Sequence, residues 1–261
     1  MSQIISGEAI AEKEIYPSFP VLTKGKPVLA IFFDDKDKVS RAYIRAKEKN
    51  AKKAKIKIKL ISYPKTNSLL EKEIIKLNKD EKITGILLEM PFPKRIRPEI
   101  IYLINDLKDV DGFFSKFFIP PVVRATRRVL DEIPLWYEKK ILVIGQGEFV
   151  GKKILHFLSR EAQKVFTAQN TKTLKLLAPK SEIIISCVGK PNLVKAEFLK
   201  KPIALIDVGT SFLKGKIVGD IEDKAFSLAQ FACRTPGGIG PLTCAYLFDN
   251  VWQAYKRQRE A

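Results

Sequence analysis

Three polar side chains fall on one face of a predicted helix. Ser40, Tyr43 and Lys47 are spaced at i, i+3 and i+7, so a helix over residues 40–53 would bring them together. A tyrosine ring can stack on a flat substrate. A lysine beside it can polarise or deprotonate a reacting group if burial lowers the lysine pKa. A solvent-exposed helix face produces the same spacing, and from spacing alone it is the commoner explanation.

A glycine-rich turn occupies residues 145–151, GQGEFVG, directly after the apolar run 141–144. Glycines let the backbone approach a pyrophosphate, which the N-terminus of the following helix then binds. The spacing G-x-G-x-x-x-G is one residue longer than the usual fingerprint, and a tight strand-to-helix turn is the alternative. The order of strand, turn and amphipathic helix favours a dinucleotide site with contacts from Gly145, Gln146, Gly147, Val150 and Gly151.

Three later strand ends extend this prediction. The second strand of the unit is followed by residues 167–172, TAQNTK, which contain no acid for a ribose hydroxyl; Lys172 is the candidate partner of a 2′-phosphate. The next two strands end in SCVGKP and DVGTS, with glycines at the edge where open parallel sheets bind ligands. Ordinary loop glycines give the same pattern. The predicted cofactor contacts here are Val188, Gly189, Gly209 and Thr210.

The elements that position these residues alternate between strand and helix. Helical periodicity covers residues 40–53, 67–77 and 150–158. Such a βαβ pattern predicts an α/β fold with a parallel sheet covered by helices on both faces. The predicted strands are 28–33, 56–62, 83–88, 141–144, 164–167, 182–188 and 203–208.

Adjacent prolines in FFIPPVV, residues 117–123, indicate a domain boundary before a predicted helix at 124–132. We therefore expect a first domain over residues 1–119 and a second, Rossmann-type domain over residues 120–240. A last helix, at 242–257, follows the loop TPGGIGP. It is expected to return, with the rest of residues 241–261, to the first domain.

Composition excludes several classes of protein. His156 is the one histidine in 261 residues, so a histidine-based triad or a multi-histidine metal site would depend on it alone. The three cysteines are too scattered for a disulfide framework, and we expect no metal and a reducing, cytoplasmic location. No apolar run approaches the ~18 residues of a membrane span. The formal charge of +18 favours polyanionic partners.

Several short segments together are more specific than any one of them. In chain order they are GILLEMPFP (85–93), KDVDGF (108–113), GKP (189–191), IDVG (206–209), VGD (218–220) and PGGIGPLT (236–243). The set resembles the methylenetetrahydrofolate dehydrogenase/cyclohydrolase family over nearly the whole chain. The resemblance implies oxidation of 5,10-methylenetetrahydrofolate with a nicotinamide cofactor, usually NADP, and hydrolysis of the product to 10-formyltetrahydrofolate. It also implies a homodimer with a folate domain and a Rossmann-type domain, acting in one-carbon metabolism and purine biosynthesis.

The resemblance assigns roles to single positions. Lys47 matches the catalytic lysine of the family, Tyr43 the tyrosine that stacks on the pterin, and Asp111 the aspartate that holds the pterin ring. Glu89 stands in the catalytic segment beside that lysine. Further substrate contacts are expected at Ser40, Pro236, Gly237 and Gly238.

The sequence departs from the family pattern at four places. Glu89 replaces a glutamine, and an acid there should pair with Lys47, keep it protonated and weaken hydrolysis. Gln146 and Gly147 replace the arginine and serine near the NADP phosphates, which leaves the choice between NADP and NAD open. Residues 120–123, PPVV, replace P-C-T-P, and the first helix is shortened.

Three alternatives stand beside the enzyme. A degenerate family member would bind folate or nucleotide without efficient turnover. Another Rossmann-type oxidoreductase would share the glycine turn. A nucleic-acid-binding protein is suggested by charge alone, because the chain has no recognisable RNA- or DNA-binding motif. The same charge would attract a folate with a polyglutamate tail.

Overall fold

The computed structural model describes residues 2–23, 25–213 and 215–260. Its strands are β1 (Gln3–Ile4), β2 (Val28–Phe33), β3 (Lys57–Ser62), β4 (Gly85–Leu88), β5 (Lys140–Ile144), β6 (Lys164–Ala168), β7 (Ile183–Ser186), β8 (Ala204–Asp207), β9 (Ser211–Leu213), β10 (Lys216–Val218) and β11 (Phe231–Cys233). Its α-helices are α1 (Gly7–Ile10), α2 (Lys38–Lys53), α3 (Asn67–Lys79), α4 (Pro121–Leu130), α5 (Gly151–Glu161), α6 (Thr171–Leu177) and α7 (Ile239–Glu260). Across those ranges no helix has both the length and the apolar character that crossing a bilayer requires.

The chain divides into two compact units. The six-stranded unit contains Met1–Ala11 and Val122–Thr243, and the three-stranded unit contains Glu12–Pro121 and Cys244–Ala261. The ranges expected from the sequence differ at the start of the chain, where residues 1–119 were assigned to one domain. The difference comes from β1, which pairs in parallel with β11 through Gln3 and Phe231.

The six-stranded unit is built on a parallel sheet in the order β1-β11-β8-β7-β5-β6. Strands β7 and β8 are buried at every residue, which explains why they appear in the sequence as continuous apolar runs. Ile144, Ser186 and Asp207 are paired across β5, β7 and β8 at the carboxyl ends of these strands. The sheet therefore brings three loops to one edge.

The three-stranded unit has a parallel sheet in the order β3-β2-β4. The middle strand, β2, is buried at Leu29, Ala30, Ile31 and Phe32, whereas β3 at the edge is largely exposed. Residues 244–260 of α7 also belong to this unit. Within α7, the Nε1 of Trp252 donates a 2.8 Å hydrogen bond to the carbonyl of Ala54, the C-cap residue of α2.

The predicted α/β class with parallel strands is confirmed. Strand β2 has the predicted bounds, 28–33, while α7 is longer than the predicted 242–257. Strands β1 and β11 and the antiparallel pair β9–β10 were not predicted from the sequence. Each of these has two or three residues, which is too short for a period-two pattern.

Candidate active site

Helix α2 presents the predicted polar face. The helix begins after Asp37, whose carboxylate accepts a 2.7 Å hydrogen bond from the Ser40 N–H. The Ser40 side chain is buried, and its hydroxyl accepts a 3.2 Å bond from the Asp34 N–H in the turn after β2. Ser40 therefore fixes the start of the helix, and its contact with a substrate stays a prediction.

Lys47 and Glu89 form a close ion pair within the three-stranded unit. The Lys47 Nζ lies 2.9 Å from Oε1 and 2.8 Å from Oε2 of Glu89. Glu89 directly follows β4, and its backbone N–H donates to the Phe32 carbonyl of β2, so the sheet fixes its position. The lysine also lies over the Tyr43 ring, 5.8 Å from its centroid. One face of α2 thus supplies a ring and a charge beside a carboxylate.

The charges around Lys47 decide its protonation. Burial acts to lower the pKa of the Lys47 amine, but the attraction of Glu89, aided by Asp111, outweighs it, and the pKa lies above its ordinary value of 10.5. Lys47 is therefore charged at neutral pH. The sequence predicted this for the pair with Glu89, whereas a general base would need the opposite shift.

Asp111 lies in the loop after residue 108 and is coupled electrostatically to this pair. Burial, and then the negative charge of Asp109, raise the pKa of Asp111 to about 7, although Lys47 acts in the opposite direction. Asp109 is held by its own hydrogen bonds from the Phe114 and Ser115 N–H groups. The structure thus groups Tyr43, Lys47, Glu89 and Asp111, which the sequence predicted from separate segments.

Three further side chains adjoin this group and were not predicted. The Tyr63 hydroxyl donates a 3.0 Å bond to the Glu89 carbonyl. Asn50 Nδ2 lies 3.8 Å from the Cys244 sulfur, which is coupled to Lys47. Asn50 follows Lys47 by three residues on the same helix, so the helical spacing could have identified it. Nothing in the local sequence marks Tyr63 or Cys244.

The glycine turn lies in the six-stranded unit, where β5 leads into α5. Gly145 has a φ of +92°, and a Cβ there would lie 2.9 Å from the Cys187 carbonyl oxygen. A Cβ on Gly151 would lie 2.3 Å from the Gly145 oxygen, so this glycine allows the helix to approach the turn. A Cβ on Gly147 would meet none of the described residues within 4 Å. The backbone is therefore closely packed at Gly145 and Gly151 but open at Gly147, and a pyrophosphate site requires such an open approach to the backbone.

The other predicted cofactor residues lie at the same sheet edge. Gln146 accepts a 2.6 Å bond from Gln169, which follows β6, so two neutral amides stand where the second strand ends. Lys172 is exposed in the first turn of α6. Val150 is the residue before α5. Val188 and Thr210 are exposed, Gly209 is buried, and Gly189 has a φ of +76°.

Pro236, Gly237 and Gly238 also belong to the six-stranded unit. The Thr235–Pro236 peptide bond is cis, and the Gly237 carbonyl accepts a 3.1 Å bond from the Glu8 N–H. A Cβ on Gly7 would lie 1.9 Å from the Gly238 oxygen. The first residues of the chain therefore pack directly against this loop.

Two domain models of one known family match the sequence. The model described as the tetrahydrofolate dehydrogenase/cyclohydrolase catalytic domain matches residues 5–111, and that of the NAD(P)-binding domain of the same family matches residues 124–259. The chain is 33% identical over 276 residues to the bifunctional protein FolD of Bacillus cereus, an alignment that covers 97% of this chain and 96% of that protein.

Solved structures agree with the sequence matches. The FolD methylenetetrahydrofolate dehydrogenase/cyclohydrolase of Campylobacter jejuni superposes with a TM-score of 0.89 at 26% identity, covering 98% of this chain and 99% of the other. The Trypanosoma brucei enzyme, solved with NADP and an inhibitor, gives a TM-score of 0.91 at 26% identity, covering 100% and 99%. Together with the two domain matches, these likenesses show that the chain belongs to the tetrahydrofolate dehydrogenase/cyclohydrolase family.

Proposed function

We propose that the protein oxidises 5,10-methylenetetrahydrofolate to 5,10-methenyltetrahydrofolate with a nicotinamide dinucleotide and then hydrolyses this product to 10-formyltetrahydrofolate. The observation that supports the proposal best is the grouping of Tyr43, Lys47, Glu89 and Asp111 in a chain of this family. The open glycine turn after β5 supports the need for a dinucleotide.

In the oxidation, the chain's task is binding and alignment. The nicotinamide ring, when bound, supplies the hydride chemistry. The Tyr43 ring offers a flat surface for the pterin, and an ionised Asp111 can accept hydrogen bonds from the N–H groups of that ring. Holding the methylene carbon in a fixed orientation converts a bimolecular step into an effectively unimolecular one.

In the hydrolysis, water adds to the positively charged methenyl carbon and gives up one proton. The bond from this carbon to N5 then breaks, N5 takes up the second proton, and the formyl group stays on N10. A neutral Lys47 amine would take the first of these protons, but the pair with Glu89 raises the Lys47 pKa and keeps the amine charged. A charged amine can donate a hydrogen bond that holds the water beside the methenyl carbon, but it cannot accept the proton of that water. We infer that hydrolysis is slower relative to oxidation than in a relative with a neutral side chain at position 89.

For the cofactor we infer NADP, with NAD also accepted. The amides of Gln146 and Gln169 carry no negative charge that would repel a 2′-phosphate, and Lys172 supplies one positive charge nearby in sequence. The Trypanosoma brucei neighbour was solved with NADP. A neutral pair also lacks the strong anion contact that would exclude NAD.

The wider setting follows from family resemblance. We propose a cytoplasmic homodimer that acts on polyglutamylated folates in one-carbon metabolism and purine biosynthesis. The charge of +18 suits a polyanionic folate tail. Light scattering measures the mass in solution and so tests for the dimer. A lower KM for polyglutamylated than for monoglutamylated substrate would show that the protein binds the glutamate tail.

The main test mixes the purified protein with 5,10-methylenetetrahydrofolate and either NADP or NAD. Absorbance follows the reduced cofactor and the methenyl product separately. We expect reduction with NADP, weaker reduction with NAD, and a methenyl product that accumulates before it is hydrolysed. Absence of reduction with both cofactors would favour the second candidate, a folate- or nucleotide-binding protein without turnover. The observation that favours this candidate is the Lys47–Glu89 pair, which keeps the proposed catalytic amine charged.

A nucleic-acid-binding role makes a different prediction. It rests on charge, so binding would be independent of sequence and would collapse with modest added salt. Filter binding of a random duplex at two salt concentrations distinguishes it from the enzyme.

A further inference from the structure

Three buried polar side chains lie at the carboxyl ends of β7 and β8 and have no part in the proposed chemistry. Ser186 and Asp220 are 0% exposed, and Asp207 is 1% exposed. Burying carboxylates in this way is costly unless every oxygen is hydrogen-bonded. Burial raises the pKa of Asp207 to about 7, although backbone hydrogen bonds partly offset this.

The carboxylates of Asp207 and Asp220 each accept hydrogen bonds from backbone N–H groups, and Asp207 holds the segment that carries Asp220. Asp207, the last residue of β8, accepts hydrogen bonds from the Asp220 N–H at 3.0 Å and the Ile221 N–H at 3.2 Å. Asp207 therefore holds the segment that follows the β9–β10 hairpin against the end of the sheet. That segment carries Asp220 into the edge where β7 and β8 end.

Asp220 in turn holds the loop after β7. Its Oδ2 accepts bonds of 2.8 Å from the Ser186 hydroxyl and the Val188 N–H, and its Oδ1 accepts a 2.7 Å bond from the Lys190 N–H. These bonds flank Gly189, whose φ is +76°. One carboxylate thus sets the backbone on both sides of a glycine that the sequence marks as a cofactor contact.

The space for these carboxylates is made by two glycines. A Cβ on Gly209 would lie 2.0 Å from Asp220 Oδ2, and a Cβ on Gly219 would lie 1.8 Å from Asp207 Oδ2. The start of β9 is also joined to the loop after β7, because the Ser211 hydroxyl donates a 2.8 Å bond to the Gly189 carbonyl. The two carboxylates, the loop after β7 and the start of β9 are thus connected by hydrogen bonds.

The place of this unit in the sheet indicates which half of a dinucleotide it meets. The glycine turn follows β5, and the sheet continues from β5 to β6 on one side and to β7 and β8 on the other. In a bound dinucleotide the adenosine ribose would lie near the end of the second strand, β6, so the nicotinamide half would extend over the ends of β7 and β8. Val188, which is 44% exposed, is presented there on a backbone that Asp220 holds.

We propose that Asp220, supported by Ser186 and Asp207, is a positioning residue that sets the 188–190 loop for the nicotinamide half of the cofactor. The inference rests on the proposed dehydrogenase function. It predicts that loss of the Asp220 acceptor harms cofactor use while leaving folate use intact.

The experiment measures KM for NADP, KM for methylenetetrahydrofolate and kcat in the wild type, Asp220→Asn and Ser186→Ala. Asp220→Asn leaves a loop N–H without its acceptor, and we expect KM for NADP to rise about tenfold with a lower kcat. Ser186→Ala removes one of three bonds to Asp220, and we expect a rise of about threefold. KM for the folate should stay within about twofold of the wild-type value, a margin well below the cost of a lost hydrogen bond.

Asp223→Asn is the matched control. This acid is three residues from Asp220 on the same segment, its side chain is 97% exposed, and it makes an ion pair of 3.7 Å with Arg234. We expect it to leave all three constants unchanged. Urea unfolding of each variant shows whether it is folded under the assay conditions, and Ser186→Ala decides the question if Asp220→Asn is not.

Two outcomes overturn the inference. One is an unchanged KM for NADP in folded Asp220→Asn and Ser186→Ala; the other is an equal rise in both KM values, which a general loss of structure would give. A wild type that reduces neither cofactor defeats the proposed function instead. In that case fluorescence titration of the variants with NADPH still tests the inference, because binding needs no turnover.

Discussion

The Lys47 amine lies within 2.9 Å of both carboxylate oxygens of Glu89, so a carboxylate of the same unit balances the positive charge of the proposed hydrolytic lysine. An arrangement of this kind stabilises the charged amine. A charged amine can bind and orient a substrate, but its nitrogen has no free electron pair with which to act as a general base.

Glu89→Gln should therefore speed hydrolysis at neutral pH. Removal of the carboxylate lowers the pKa of Lys47, and each unit of lowering increases the neutral amine by about tenfold. The measurement is the rate at which methenyltetrahydrofolate absorbance is lost with the variant, compared with wild type from pH 7 to 9. Glu71→Gln, which alters an ion pair with Arg97 elsewhere in the unit, is the control. An unchanged or lower rate in Glu89→Gln would contradict the prediction.

Lys47→Met should abolish hydrolysis and spare part of the oxidation. Hydrolysis loses the amine that holds the attacking water and, in its small neutral fraction, takes the proton of that water, an effect of about 10²-fold or more, while hydride transfer depends on alignment. The two rates are measured in one assay from methenyl and reduced-cofactor absorbance. Methionine keeps the length of the side chain over Tyr43 but leaves Glu89 unpaired. Full hydrolysis by this variant would remove Lys47 from the mechanism.

The use of folate should depend on pH near neutrality. The pKa of Asp111 is raised to about 7, so its carboxyl is protonated below that pH and ionised above it. If the ionised form accepts hydrogen bonds from the pterin, kcat/KM for methylenetetrahydrofolate rises as pH increases through about 7. Asp111→Asn should remove this inflection and lower kcat/KM at high pH. A profile of the same shape in wild type and variant would assign the inflection to another group.

Asn250→Ala should destabilise the fold by about 2–4 kcal/mol. Asn250 is 1% exposed, and its Nδ2 donates to the carbonyls of Val110 at 2.8 Å and Ile119 at 3.0 Å. The variant leaves both acceptors without that donor and opens a cavity. Urea unfolding followed by circular dichroism measures the loss. Gln253→Ala, on the same helix and bonded to the half-buried Asp249, should change stability by less than about 0.5 kcal/mol.

The sequence was sufficient where local pattern and local chemistry coincide. Strand β2 is an unbroken apolar run, and the turn at Gly145 needs both a positive φ and a close approach of α5, which glycine spacing reveals. The Lys47–Glu89 pair could be predicted because the family resemblance puts both residues in one site, where opposite charges attract. The roles of Lys47 and Asp111 came from resemblance to a family, not from spacing.

Long-range relationships were beyond the sequence. Asp207 and Asp220 appear as acids after apolar strands, and nothing local shows that one carboxylate holds the segment of the other. Strand β1 has two residues and acquires its identity from β11, more than two hundred residues later. Pairing at such distance depends on the finished sheet and leaves no periodic pattern in the chain.

The placement of β1 also constrains how the protein is made. Synthesis makes β1 well before the strand beside it, β11, and the three-stranded unit lacks residues 244–260 until after β11 has been made. Chains usually fold domain by domain as they leave the ribosome. Here neither unit can be completed early, because the six-stranded unit needs β11 and the three-stranded unit needs residues 244–260.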